Sequence, residues 1–490
     1  MLFNSRTFLI FFLSVTTLYF LLPGKWRWML LLGASMLFYM AFVPKYILVL
    51  LFLAFVDYTG GILLEKVNTP RRRTFILIAC LILDLGMLVF FKYANFFAGN
   101  IEALARLLHW NYGLPVLEIL LPLGISFHIF QSLSYVIEVY RGKQKAEKHF
   151  GFFFLYIIFY PQLVAGPIER ADHLLPQLHQ PRPFSYARIS GGIQLMLWGL
   201  FKKTVIADRL ALFVNQVYAL GDPADFNGVS FFIASILFAI QIYCDFSGYS
   251  DIARGAAGVM GIRIMENFRR PYVARSIAEF WQRWHISLST WFRDYLYIPL
   301  GGNRMAIPRW YINVLIVFLV SGLWHGARWT FVIWGGIHGM YMIFSYATQR
   351  IRESLVRITR LDRMPSVRKA IQIGITFSLV TFGWIFFRSG SLMEAYTIIG
   401  RIILDAPQLF SLSTLSDIII KSRLGGFEFI IAICAIAVME TVHILQERKS
   451  CVERIRAYPL WVRWSSAYLL IAAVYFLGIF DNQAFIYFQF

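Results

Sequence analysis

FWQRWHISLSTWFRDYLYIPLGGNR, residues 280–304, and SGLWHGARWTFVIWGGIHG, residues 321–339, place His285 and His325 inside a chain otherwise made for lipid. An ionisable side chain at membrane depth is costly, so it comes with a partner, a water-filled cavity or a reaction to serve. Read as one helix, 280–296 puts Trp281, Trp284, Leu288, Trp291, Phe292 and Tyr295 on one stripe and Arg283, Ser287, Thr290, Arg293 and Asp294 on the other side. His285 falls within the apolar stripe, whereas a solvated interfacial helix keeps its histidine with its arginines. Position alone leaves two readings open: a core histidine donating to a backbone carbonyl, or a functional one held out of water. Arg283, Arg293 and Arg304 read first as side chains reaching anionic headgroups and second as a phosphate site.

In the second stretch Gly322 and Gly326 flank His325 at GxxxG spacing, and Gly335 and Gly339 repeat the pattern. Small residues so placed let helices approach closely. Arg328 and Trp329 are expected one turn from His325, lining the same pocket. His338 lies across two glycines, so its face relative to His325 is open, and a structural role is the default.

The composition fixes the class. Of 490 residues 58% are hydrophobic and 18% aromatic, and the mean hydropathy is +0.61, which excludes a water-soluble globule and implies a polytopic all-α membrane protein. Apolar runs at roughly 7–22, 28–43, 46–64, 74–91, 116–139, 190–206, 229–247, 309–323, 329–347, 371–387, 428–445 and 464–480 predict about twelve spanning or re-entrant helices. The net charge of +19, from 46 Lys and Arg against 27 Asp and Glu, reads as membrane orientation rather than nucleic-acid binding. Basic clusters near Lys25 and Arg27, at 71–73, 141–148, 263–304, 350–369 and 449–463 are expected on the cytoplasmic side, with both termini outside.

One membrane domain over 1–490 is expected, with the chemistry between 241 and 339 and a short amphipathic helix within 388–426. Asp245 and Asp251 follow an apolar run and are read as structural ion pairs with Arg254, Arg263 or the arginines of 283–304; Asp84 has the same default. Cys80, Cys244, Cys434 and Cys451 show no CxxC spacing and predict neither a metal site nor a disulfide framework. GxSxG, Walker A and HExxH motifs are absent, which removes support for hydrolytic triads and zinc peptidases.

Residues 241–304, 321–339 and the ending FIYFQF at 485–490 resemble the membrane-bound O-acyltransferase family, in particular its bacterial branch of alginate O-acetylation, and less closely its members in peptidoglycan O-acetylation and teichoic acid D-alanyl transfer, which stand as the alternative. The family's essential histidine sits in a WHG triplet, here Trp324–His325–Gly326, and a supporting one in RWH, here Arg283–Trp284–His285. The resemblance implies catalysis by His325 and His285, with Trp284, Trp324, Arg328 and Trp329 as substrate-binding candidates. It also implies a helical fold around a central tunnel in the bacterial inner membrane. The donor would be acetyl-CoA or another cytoplasmic acyl thioester, with no tightly bound cofactor. The acceptor would lie beyond the membrane and be served by a periplasmic or membrane-anchored acetyltransferase partner. Two readings from other classes remain at this stage: a transporter or channel, which predicts internal repeats not found here, and a non-catalytic scaffold for a polysaccharide synthase.

Overall fold

In a computed structural model all residues are described except 111–112, 114–120, 164–165, 220–225, 423, 446–458, 481–484 and 487–490, so Cys451 and most of the terminal FIYFQF lie outside the described residues. Every regular element among the described residues is helical. Six of the helices are long and apolar enough to cross a bilayer: Pro44–Lys66, Pro70–Leu107, Gly228–Met260, Ile307–His325, Pro365–Arg388 and Gly425–Leu445. Arg6–Leu21 and Trp461–Leu477 are apolar but shorter.

Six is fewer than the runs predict, because several runs are broken or diluted. A further apolar stretch at 150–164, outside those twelve, is interrupted in the same way, stopping at Ile158 and restarting as Tyr160–Leu163. The 116–139 run turns helical only at Ile125, after Gly124 at φ 69°. The 190–206 run winds into a π-helical turn, Phe201–Ala207, that buries Lys202 and Lys203. The single amphipathic helix expected in 388–426 is two, Leu392–Leu404 and Leu412–Lys421.

Two compact units are described: residues 1–193 with 253–265, and residues 194–252 with 266–490. In the first unit Gly60 and Gly61 set the helix spacing. A Cβ on Gly60 would lie 2.5 Å from Cys80 Sγ, and one on Gly61 2.6 Å from Tyr135 Oη. That close approach brings Asp84 against Asp57, side chain to side chain, while Ser132 donates to Asp57. The partner of Asp84 is thus a second acid, not the cation the sequence suggests.

In the second unit Gly199 and Gly248 cross so closely that a Cβ on Gly248 would lie 2.8 Å from the Gly199 carbonyl. The crossing presents Lys203 to Asp245 at 2.6 Å and to Asp208 at 2.8 Å, and Lys202 to Asp251 at 2.7 Å. Asp245 also accepts from the backbone N–H of Ile486 at 2.8 Å. Both carboxylates are therefore ion-paired, but to the paired lysines of the π turn rather than to arginines. These lysines sit in a run whose sequence looks like a continuous apolar span.

Candidate functional site

Three histidines of the second unit converge on one cluster of aromatic rings, and the local backbone explains how each is aimed. The helix expected over 280–296 breaks at its histidine. Ile277–Arg283 opens with Ser276 accepting from Glu279 N–H, and Ile286–Phe292 follows before a π-helical turn, Arg293–Tyr297. Between them Trp284 is extended and His285 is left-handed at φ 43°, ψ 54°.

The break is held from outside the segment. Arg269 N–H donates to Arg283 O at 2.9 Å and Ile286 N–H to Asn267 O at 3.0 Å. Ser287 donates to Asn267 Oδ1 through its hydroxyl at 2.7 Å and its N–H at 3.2 Å. Buried backbone and side-chain polar groups thereby find partners that an unbroken helix would have supplied itself. The stripe pattern is re-registered as a result: Ser287, expected on the polar side, is wholly buried. Arg283 is spent on Glu279 at 2.6 Å rather than left for a headgroup or phosphate.

The break turns His285 inward. Its ring lies 4.8 Å from Phe246 and 6.2 Å from Trp324, centre to centre. Burial holds this imidazole neutral, pushing its pKa down to about 3 against a smaller opposing pull from its own backbone hydrogen bond. Trp284 is also buried, packed 5.0 Å from Phe268 and 5.1 Å from Trp384.

His325 is the last residue of Ile307–His325, and the chain leaves it through an extended Gly326 at φ −166°, ψ 152°. A three-residue link leads into Trp329–Ala347, and the two helices cross on Gly322 and Gly335. A Cβ on Gly322 would strike the Phe331 carbonyl and one on Gly335 the Phe318 carbonyl. The GxxxG spacing thus marks a close contact, but across the hairpin rather than along one helix. His325 is enclosed by Trp324 at 5.0 Å, Trp334 at 5.0 Å and Phe387 at 5.4 Å.

His338, whose face could not be fixed from sequence, lies on the far side of Trp334 at 5.1 Å and equally close to Trp281. The order of rings is His285, Trp324, His325, Trp334, His338. His285 and His338 have no exposed surface, while His325 retains 5%.

Two substrate-binding candidates are placed differently from expectation. Because the helix ends at His325, Arg328 and Trp329 are not one helical turn on. Trp329 opens the next helix half exposed, at 52%, and Arg328 lies over Phe331 at 5.1 Å. The cluster is also closed by Trp334, Trp384 and Phe387, with Trp384 stacked 5.7 Å from Trp334. The aromatic run FGWIFF at 382–387 was the available signal for the last two. Asn267 carried none, since a lone asparagine in a polar loop is unremarkable until its partners are known.

The geometry agrees with sequence relationships. The profile of the membrane-bound O-acyltransferase family matches residues 147–387, a segment that contains every ring of the site from Phe246 to Phe387. A probable alginate O-acetylase of Azotobacter vinelandii is 37% identical over 402 residues, which is 81% of this chain and 77% of that protein. The chain belongs to the membrane-bound O-acyltransferase family. A peptidoglycan O-acetyltransferase of Helicobacter pylori is 30% identical across 100% of this chain and 98% of its own, and a teichoic acid D-alanyltransferase of Bacillus subtilis is 28% identical across 54% of this chain and 68% of its own. As a membrane-bound O-acyltransferase this chain is a multi-pass membrane enzyme of acyl transfer.

Proposed function

We propose that this enzyme moves an acetyl group from a cytoplasmic thioester, acetyl-CoA or another acyl thioester, toward the O-acetylation of an extracytoplasmic polysaccharide, alginate or a similar exopolysaccharide. The observation that carries the reading is His325: an imidazole at a helix end, enclosed by the indoles of Trp324 and Trp334 and the phenyl ring of Phe387. The imidazole takes the proton of an incoming hydroxyl as its oxygen attacks the thioester carbonyl. The tetrahedral intermediate then expels the thiolate, and His325 returns the proton to the leaving sulfur. An indole N–H is a suitable donor to the oxyanion; that of Trp334 makes no hydrogen bond among the described residues and is available. Excluding water spares the thioester from hydrolysis and strengthens these polar contacts.

The attacking hydroxyl belongs to a carrier or to a periplasmic or membrane-anchored acetyltransferase, and the ester so formed is cleaved in turn by a hydroxyl of the polymer, which takes the acetyl group as the carrier hydroxyl is regenerated. Sealed inside-out vesicles supplied with radiolabelled acetyl thioester test this. Label should leave the donor and appear in the lumen, with no acetylated product on the exposed face; acetylated acceptor on the exposed face removes the transmembrane route. A second polymer is favoured by one observation, the end-to-end match to a peptidoglycan O-acetyltransferase. Comparing ester-bound acetate in exopolysaccharide and in purified peptidoglycan from cells with and without the gene decides between them.

A further inference from the structure

The first unit contains none of the residues of the histidine cluster, yet it holds a cavity of about 290 Å³ where the Arg6–Leu21 helix turns into Arg27–Met40. Its lining is cationic and aromatic, including Lys25, Arg27, Tyr19, Trp28 and His179. Arg27 is fixed in place: Nη1 donates to Arg182 O at 2.8 Å, Nε to Leu22 O at 3.1 Å, and the guanidinium lies over Tyr19 at 4.8 Å. Arg182 and Arg188 crowd the same spot, since a Cβ on Gly261 would lie 2.7 Å from Arg182 Cβ and 3.2 Å from Arg188 Cζ. Arg188 Nη2 is engaged by Pro183 O, while its Nε is enclosed with no acceptor among the described residues.

The charge is not neutralised locally. None of Lys25, Arg27, Arg182 and Arg188 forms an ion pair among the described residues, and the nearby carboxylate, Glu147, is taken up by His179 Nε2 at 2.8 Å. Two permanent cations in the lining, Lys25 and Arg27, with Arg182 bonded to Arg27 and Arg188 close to Tyr19, call for an anion. The depth is also marked, because Trp26, Phe184 and Tyr186 stand exposed beside it as residues of a membrane interface do. Lys25 and Arg27 belong to the basic clusters that charge bias assigns to the cytoplasmic side, whose leaflet is the anionic one. Ligand clefts run from about 300 to 1,000 Å³, so this one suits a small phosphoryl headgroup and not a nucleotide coenzyme.

We propose that this cavity binds one anionic phospholipid by its phosphate-bearing headgroup, Lys25 and Arg27 meeting the phosphate and Arg188 adding charge beside them, while the acyl chains stay in the bilayer. The test uses the purified full-length protein in neutral-detergent micelles, with native mass spectrometry and thermal unfolding as readouts. Phosphatidylglycerol should be retained and raise the unfolding midpoint, and phosphatidylcholine should not. Each cation removed should weaken phosphatidylglycerol binding about fivefold, in Arg27→Gln/Arg188→Gln and, on an exposed side chain that folding does not need, in Lys25→Ala. Equal retention of the two lipids, or unchanged phosphatidylglycerol binding in Lys25→Ala and in the double variant, overturns the proposal. Glycerol 3-phosphate should leave the midpoint unmoved; stabilisation by it equal to that of the lipid would overturn the lipid assignment in favour of a soluble phosphate ester.

Discussion

His285 and His325 are both buried beside Trp324, yet they differ in backbone, and this difference separates their roles. His325→Ala should abolish acyl transfer, a loss of about two to four orders of magnitude for a missing general base, with insertion and protein level unchanged; near-normal acetylation would refute the assignment. His285→Ala should cost less activity, and an equal loss would make the two a joint machine. Position 285 also carries left-handed strain, about 1–2 kcal/mol for any residue with a Cβ. His285→Gly should therefore unfold at a higher temperature than His285→Ala while matching it in activity, and the reverse order would place the cost in packing. Away from the cluster, His173 Nδ1 meets the buried carboxyl of Glu169 at 2.7 Å. Burial raises the Glu169 pKa against the pull of His173, and the hydrogen bond to Glu169 raises that of His173 above the ordinary 6.5. A raised folded-state pKa gives stability that is complete below the unfolded value and lost as pH climbs through the folded one. Thermal midpoints should therefore fall as pH climbs above the ordinary histidine value of 6.5, less steeply in His173→Gln; an identical slope in that variant excludes the pair as the source.

At the scale of elements, the helix break and the hairpin crossing do the positioning, and they were unequally legible. The glycines of the second stretch announced a close approach because a missing side chain is visible in sequence, although which glycine meets which depends on where the hairpin turns. The break at His285 was not legible: 280–296 has a clean helical stripe, and what overrides it is Asn267, whose Oδ1 holds Ser287 from outside. Asn267→Ala should strand the buried Ser287 donors at a cost of about 1–3 kcal/mol and lower activity with His325 intact. Stability unchanged from wild type would show that the stripe can hold the break unaided. Gly335→Leu forces a side chain into the Phe318 backbone and should cost about 3 kcal/mol or more, read as loss of folded yield, whereas Gly336→Ala, with a nearest neighbour 3.5 Å away, should be tolerated.

Over the whole molecule, composition alone determined the class, since a chain this apolar has no aqueous fold. Among the described residues six helices are long and apolar enough to cross, against about twelve apolar runs, because hydropathy counts apolar residues without seeing where backbone order is interrupted, as at Gly124, Phe159 and the π turn that buries two lysines. Sidedness rests on charge bias and is open to direct test. With the native cysteines replaced, single cysteines at Asn303 and Ser366, both exposed, should be labelled from the cytoplasmic side, and one at the exposed Lys45 from the outer side. Labelling of Asn303 and Lys45 from the same side would break the topology.

The three-residue link after His325 also bears on biogenesis. Ile307–His325 and Trp329–Ala347 are neighbours in sequence and cross on bare backbone, so they can enter the bilayer together as a preformed hairpin while the ribosome is still at work. The WHG histidine then arrives at its apex before Trp384 and Phe387 have been synthesised. The site is left open on one side until the helix Pro365–Arg388 follows, and a nascent chain halted short of residue 384 would hold both histidines in place without the aromatic wall that keeps water from them.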